Sequence, residues 1–244
     1  MSNQSASPRS AEVREIPAEA LETLPIFPLP GTILLPQTLV SLHVFEPRYR
    51  RMMEDITEGH RLLAVAMLDE QGRPDRYGRP PVFPITGVGM LRRSAKLPDG
   101  RYNILLEGAL RAEISEELEP SPYFPYRRVR ARPLEDVLPE DPGELESAVA
   151  ALRALCARVV SQMAGGDPEI MRRLNEITDP GTLADMVAAA AIQDSLERQK
   201  ILAEVDVVGR LQLASGALGA LILRAQAMDS APATVGWGIA PAKA

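Results

Sequence analysis

Apolar residues follow two rhythms along this chain, and the change falls near residue 133. The first part has short aliphatic runs of strand length broken by Pro and Gly; the second has apolar residues every three or four positions, the spacing of a helix face. Leu24–Leu29, Thr32–Leu35 and Leu39–Val44 read as extended runs, with Pro30-Gly31 as a turn. Pro47–Glu58 reads as a helix. Proline suits its first turn, Tyr49, Met52, Met53 and Ile56 share a face, and Gly59 stops it. Arg61–Leu68 is continuously apolar and reads as a buried strand. Asp69–Pro81 is a loop rich in Gly and Pro. Strands are predicted over Val82–Arg93, Arg101–Leu106, Leu110–Ile114 and Tyr126–Arg132, with a turn at Pro98-Asp99-Gly100.

Beyond the acidic Pro133–Pro142 stretch the helical period takes over. Gly143–Ala164 places Leu145, Val149, Leu152, Leu155, Val159 and Met163 on one stripe. Asp167-Pro168 opens a short helix to Asn175, Thr182 caps an alanine-rich helix over Leu183–Ile192, Ser195–Ala203 adds a turn or two, and Val207–Ala227 is the last helix. The pattern gives an α+β chain: a mainly antiparallel β domain over 23–133, then an α-helical bundle over 134–227. Residues 1–22 and 228–244 read as disordered tails, the second carrying Trp237.

Several segments together resemble a known family. Leu24-Pro25-Ile26-Phe27-Pro28-Leu29, the proline after Leu34-Leu35, and Leu42-His43-Val44-Phe45-Glu46-Pro47-Arg48-Tyr49-Arg50 are similar to the substrate-binding N-terminal domain of Lon proteases. So are Pro84–Gly89, Leu97–Gly108, Leu183-Ala184-Asp185, Gln199–Leu202 and Asp206–Leu211. The resemblance covers about Leu24 to Leu223 and is nearest to stand-alone members without ATPase and peptidase domains. It implies a PUA-like antiparallel β pseudobarrel as the N-terminal fold, and a role in binding protein substrates.

Charge and chemistry narrow this further. The formal net charge of −6 disfavours general nucleic-acid binding. One cysteine, Cys156, excludes an internal disulfide and fits a reducing, cytoplasmic setting. The N-terminus lacks the apolar core of a secretory signal, and no apolar run looks long enough to span a membrane. No Gly-Lys pair occurs, so the phosphate-cradling Walker loop is absent, and so is any Gly-x-Ser-x-Gly elbow. With two histidines, His43 and His60, a metal site is not expected, nor is a cofactor. Cys156 reads as a small buried hydrophobe and His43 as a rim residue. Glu113, Glu116, Glu117 and Glu119 read as a solvated loop.

The expected activity is therefore non-catalytic: gripping unfolded or apolar protein segments, with a role as adaptor to a separate ATP-dependent protease as the further expectation. The candidate peptide surface has an apolar floor of Ile26, Phe27, Leu42 and Phe45, with Glu46, Arg48, Tyr49 and Arg51 around it. A free strand edge would add main-chain bonds. The alternative is a PUA-like RNA-binding protein using Arg128, Arg130 and Arg132, which alternate onto one strand face.

Overall fold

A computed structural model describes residues 16–162 and 168–229. The described part is α+β, with a six-stranded mixed sheet and seven helices. The strands are β1 (Leu24–Leu29), β2 (Leu39–Val44), β3 (Leu62–Met67), β4 (Ile85–Lys96), β5 (Tyr102–Glu117) and β6 (Arg128–Pro133). The helices are α1 (Ala18–Glu22), α2 (Pro47–Glu58), α3 (Pro142–Gln162), α4 (Pro168–Glu176), α5 (Pro180–Ala191), α6 (Ser195–Ala203) and α7 (Val207–Asp229).

The sheet order is β2-β5-β4-β3-β1-β6, and β6 also pairs with the C-terminal half of β5. The ladder therefore closes on itself through β5, β4, β3, β1 and β6, leaving β2 attached, among the described residues, by one side only. β1 and β3 pair in parallel, Ile26 opposite Ala64 and Leu29 opposite Met67, so the sheet is mixed, mainly antiparallel as expected but for this one pair. The helix α2 between them supplies the crossover that a parallel pair requires.

Three other expectations change. Leu110–Ile114 is not a separate strand: Gly108 lies inside the 16-residue β5 and does not interrupt it. Thr32–Leu35 forms no strand. Instead Ile33, Leu34 and Leu35 are buried, and the segment's main chain presses on the sheet. A Cβ at Gly87 would lie 1.8 Å from the Leu34 carbonyl oxygen, and one at Gly108 2.0 Å from that of Leu35. Both positions need glycine because backbone approaches backbone there. Finally, Ala18–Glu22, assigned to the N-terminal tail, form α1, and Ala20 and Leu21 pack beside Leu24, Ile26 and Val129.

The helices fall where the period placed them, with one change of cap. Asp179, not Thr182, caps α5, accepting from the Thr182 amide at 2.7 Å. Asp194 caps α6 in the same way. The expected cap at Asp167, the stripe residue Met163, Trp237 and most of both tails lie outside the described residues. α7 is long and apolar enough to cross a membrane on length and composition alone. Its buried face, Val207, Val208, Leu211, Ala214, Leu218 and Ile222, belongs to the core instead. One apolar cluster joins Leu152, Leu183, Leu211 and Leu218 of the helices to Ile33, Leu35 and Met67 of the β part, so the two parts share a core.

An ion network crosses the same junction. Arg111 of β5 and Arg210 of α7 meet Asp185 of α5 and Asp136 of the connecting segment. Arg111 binds Asp185 at 2.8 Å and Asp136 at 2.8 Å, and donates to the Leu202 carbonyl at 3.1 Å. Arg210 binds Asp136 at 2.6 Å and donates to the Glu204 carbonyl at 3.1 Å. Arg210 and Asp185 are 0% exposed, so each charge depends on its partners to replace lost water. Gln199 adds a bond from α6 to the Ile85 carbonyl at 2.8 Å.

Candidate functional site

The sequence-based site centred on the entry to α2, and the structure divides it. Ile26 and Phe27 are neighbours on a strand, so their side chains leave on opposite faces. Ile26 is fully buried with Leu24, Ala64 and Val88, while Phe27 packs with Leu34, Val44 and Tyr49. They cannot share a floor, and Ile26 reaches no surface. Phe27 and Tyr49 lie under the surface, their rings 4.4 Å apart. Leu42 is half-buried against the same cluster. Phe45 is 61% exposed, its ring 6.3 Å from that of His43.

The charged members stay close to α2. Glu46 sits at the N-cap position and accepts from Arg48 Nε at 2.9 Å, two residues away. The Arg48 guanidinium also lies 4.6 Å from the Tyr49 ring centre. Arg51 pairs with Asp55 at 3.0 Å, and Asp55 accepts the Tyr126 hydroxyl at 2.7 Å. Burial and this acceptor push the Tyr126 phenol well above its usual range. Burial likewise raises Tyr49.

Arg48 and Tyr49 instead border a cleft of about 430 Å³. Its other walls come from Pro28 of β1, from the 69–82 loop with Tyr77, Arg79 and Pro80, and from the connection between β5 and β6 with Phe124, Pro125 and Tyr126. Sequence reasoning read the first loop only as a connector. The signal it carried was the aromatic in Arg76-Tyr77-Gly78-Arg79-Pro80, facing a second aromatic group at Tyr123-Phe124-Pro125-Tyr126.

The cleft is held open by arginines. Arg79 donates to Asp75 at 2.6 Å, to Glu117 at 2.8 Å and to the Leu118 carbonyl at 3.0 Å. Arg127 bridges Glu117 at 2.6 Å and the Pro80 carbonyl at 2.8 Å. Arg76 and the Tyr77 hydroxyl both bind Glu119. The Arg128 guanidinium lies 3.8 Å from the Phe124 ring centre. The result is a preformed aromatic slot with its rim charges already paired, suited to holding apolar or aromatic side chains.

The acidic cluster and the arginine stripe explain one another. Glu113, Glu116 and Glu117 are on β5, not in a loop, and register places Glu113 opposite Arg132 and Glu116 opposite Arg130. The facing carboxylates and guanidinia pair across the strands, and Arg130 also binds Glu22 at 2.6 Å. Arg130 and Arg132 are thus committed to carboxylates, while Arg128 lies against the Phe124 ring.

Chemistry has little to work with among the described residues. No group of three or more potential metal donors occurs there. Cys156 is buried on α3 amid the helical core, and burial pushes its thiol up, away from nucleophilic use. His43 is exposed on β2, between Asn103 at 2.7 Å and Arg101 at 3.3 Å. The two do not meet.

The described residues thus form a closed strand circuit packed against helices, with a charge-paired aromatic cleft beside α2. The family model for the ATP-dependent protease La (LON) substrate-binding domain matches residues 23–218, and this chain belongs to that family. It is 31% identical to the Lon protease of Dictyoglomus thermophilum and 30% identical to that of Trichlorobacter lovleyi, each over 194 residues. Those alignments cover 78% of this chain but 23% of each relative. In three dimensions the fold is similar to the N-terminal domain of a Mycobacterium avium complex Lon protease, with a TM-score of 0.65, 19% identity and coverage of 81% of this chain and 98% of the other. It is also similar to a Lon N-terminal domain protein from Xanthomonas campestris, with a TM-score of 0.52, 20% identity and coverage of 78% and 95%.

Proposed function

We propose that this chain is a non-catalytic protein-binding module that takes unfolded or apolar segments of client proteins into the cleft beside Arg48 and Tyr49, in the cytoplasm. In this reading the closed strand circuit is a PUA-like pseudobarrel and α3–α7 are a helical bundle bracing it, with the boundary near residue 133. The carrying observation is the match over residues 23–218 to a substrate-binding domain, combined with a cleft whose walls are aromatic and proline-rich. Apolar pockets with polar rims bind apolar side chains by excluding water, with little demand on client sequence. Passing clients to a separate ATP-dependent protease is the role this binding would serve.

The test is titration with a reduced, carboxymethylated and hence permanently unfolded protein. Saturable binding is expected, weakened about tenfold by Tyr77→Ala with Phe124→Ala, as for loss of aromatic anchors worth at least 1.4 kcal/mol. Absence of saturable binding, or indifference to these substitutions, contradicts the reading. Arg48→Glu supplies a rim test at a residue whose side chain is exposed.

A further inference from the structure

Among the described residues the strand circuit leaves β2 open along one side. β2 pairs with β5 from Leu39 opposite Glu107 to Val44 opposite Tyr102. At its start the Gly108 amide donates to the Thr38 carbonyl at 2.8 Å. Antiparallel ladders alternate bonded and non-bonded pairs, so the amides and carbonyls of Val40, Leu42 and Val44 face β5. Those of Leu39, Ser41 and His43 face outward. β2 has no proline and no Lys, Arg, Asp or Glu to blunt that edge, the usual protection against strand addition. Leu39 and Phe45, at the two ends of the exposed face, are each 61% exposed.

Beside the edge, the outer face of β2, β5 and β4 forms a concavity of about 900 Å³. Arg61, Arg92 and Arg93 line it with Ser41, His43 and Asn103, and no carboxylate does. Arg92 pairs with Glu107 just outside it at 2.5 Å, whereas the Arg61 side chain donates, among the described residues, to the Leu91 carbonyl at 2.8 and 3.2 Å. Arg93 is exposed, and no carboxylate pairs with it among the described residues. This is a locally positive face on a chain of net charge −6.

We propose that the open edge of β2 receives an extended, acidic polypeptide segment as an added strand, its carboxylates drawn by the arginines of the adjoining concavity. This rests on the reading that the chain binds polypeptides, and it assigns a second surface with its own selectivity. Main-chain bonds to Leu39, Ser41 and His43 give affinity, and the arginine field selects for acidic segments. A second copy would set like-charged faces side by side. A nucleic acid would find arginines, but no Phe, Tyr or Trp lines the concavity for its bases to stack on.

The experiment measures fluorescence anisotropy of two labelled, unstructured twelve-residue peptides, one alternating Glu and Val and one alternating Lys and Val. The Glu/Val peptide is expected to bind saturably, and the Lys/Val peptide at least about tenfold more weakly. Ser41→Pro removes an outward amide without touching the β5 ladder, and should weaken Glu/Val binding about fivefold, the value of one hydrogen bond. Arg93→Glu should weaken it by a similar factor and flatten its salt dependence. Should Ser41→Pro fail to fold, Glu/Val peptides N-methylated at alternate residues make the same test from the ligand side: one methylation phase should abolish binding and the other spare it.

Equal binding of both peptides, or indifference to Ser41→Pro and to both methylation phases, overturns the assignment. If the carboxymethylated client binds but the Glu/Val peptide does not, the edge assignment falls and the cleft reading stands. If neither binds, both fall. Preferential binding of a twenty-nucleotide uridine RNA, lost in Arg93→Glu, gives the face to nucleic acid. A Ser41-dependent dimer in sedimentation without peptide gives the edge to a second copy. Either result overturns the proposal.

Discussion

Arginine does opposite work in two regions of this molecule. At the strand–helix junction Arg111 and Arg210 are buried against Asp185, with Asp136 partly exposed beside them, and every charge has a partner. On the outer face of β2, β5 and β4, the Arg61 side chain donates to the Leu91 carbonyl, Arg93 is exposed, and no carboxylate lines the concavity they share. Burial makes the difference. Inside, an uncompensated charge is too costly to keep, so the arginines fix two parts of the chain to each other. Outside, water supports the charge until something else does, which leaves it available for recognition.

The contrast can be broken most violently from the inside. Asp185→Ala leaves two buried guanidinium groups short of a partner and should destabilise the fold by about 3–5 kcal/mol, read from urea unfolding. Asp185→Asn, which keeps the shape, should recover only part of this. Gly108→Ala comes next: the added Cβ meets the Leu35 carbonyl, so a loss of about 3 kcal/mol is expected, with the inserted Ile33–Leu35 segment the first region to lose amide-exchange protection.

Tyr126 predicts a pH dependence with a definite sign. Its phenol is held neutral in the fold by burial and the Asp55 bond, while in the unfolded chain it ionises near its ordinary value of 10.0. Its contribution is therefore complete below pH 10 and is lost as pH rises above that value. Stability should fall on going from pH 9.5 to about 11, and Tyr126→Phe should be less stable at neutral pH, by about 1 kcal/mol, but lose less over that interval. At the gentle end, Arg132→Ala removes a cross-strand surface pair and should change stability by less than about 1 kcal/mol. If Arg132→Ala proved as damaging as Asp185→Ala, burial would not be what separates the two kinds of arginine.

Local rhythm carried much of this fold. The six buried residues of β3, the apolar face of α2 and the turn at Gly100, with φ of 83°, were legible because periodicity and turn chemistry report directly on burial and backbone. Pairings were less so. The parallel contact of β1 and β3 depends on the path of the chain, and Gly108 looked like a break because its reason is a distant carbonyl. Arg111 stands in an apolar run and gives no sign that its partners lie far along the chain at Asp136 and Asp185. The joint floor of Ile26 and Phe27 was avoidable, since adjacent strand residues always face opposite ways. Arg48 and Tyr49 border a cleft that no local pattern announced, because most of its walls come from two loops whose proximity only the fold creates.

The proposed role is to grip unfolded polypeptide without performing chemistry on it, and incubating the purified chain with the carboxymethylated client, with and without ATP, puts both halves of that to the test. Saturable binding is expected in both conditions, with an intact client by mass spectrometry and no phosphate release. A cleaved client, ATP turnover by the chain itself, or a client that never binds would contradict it.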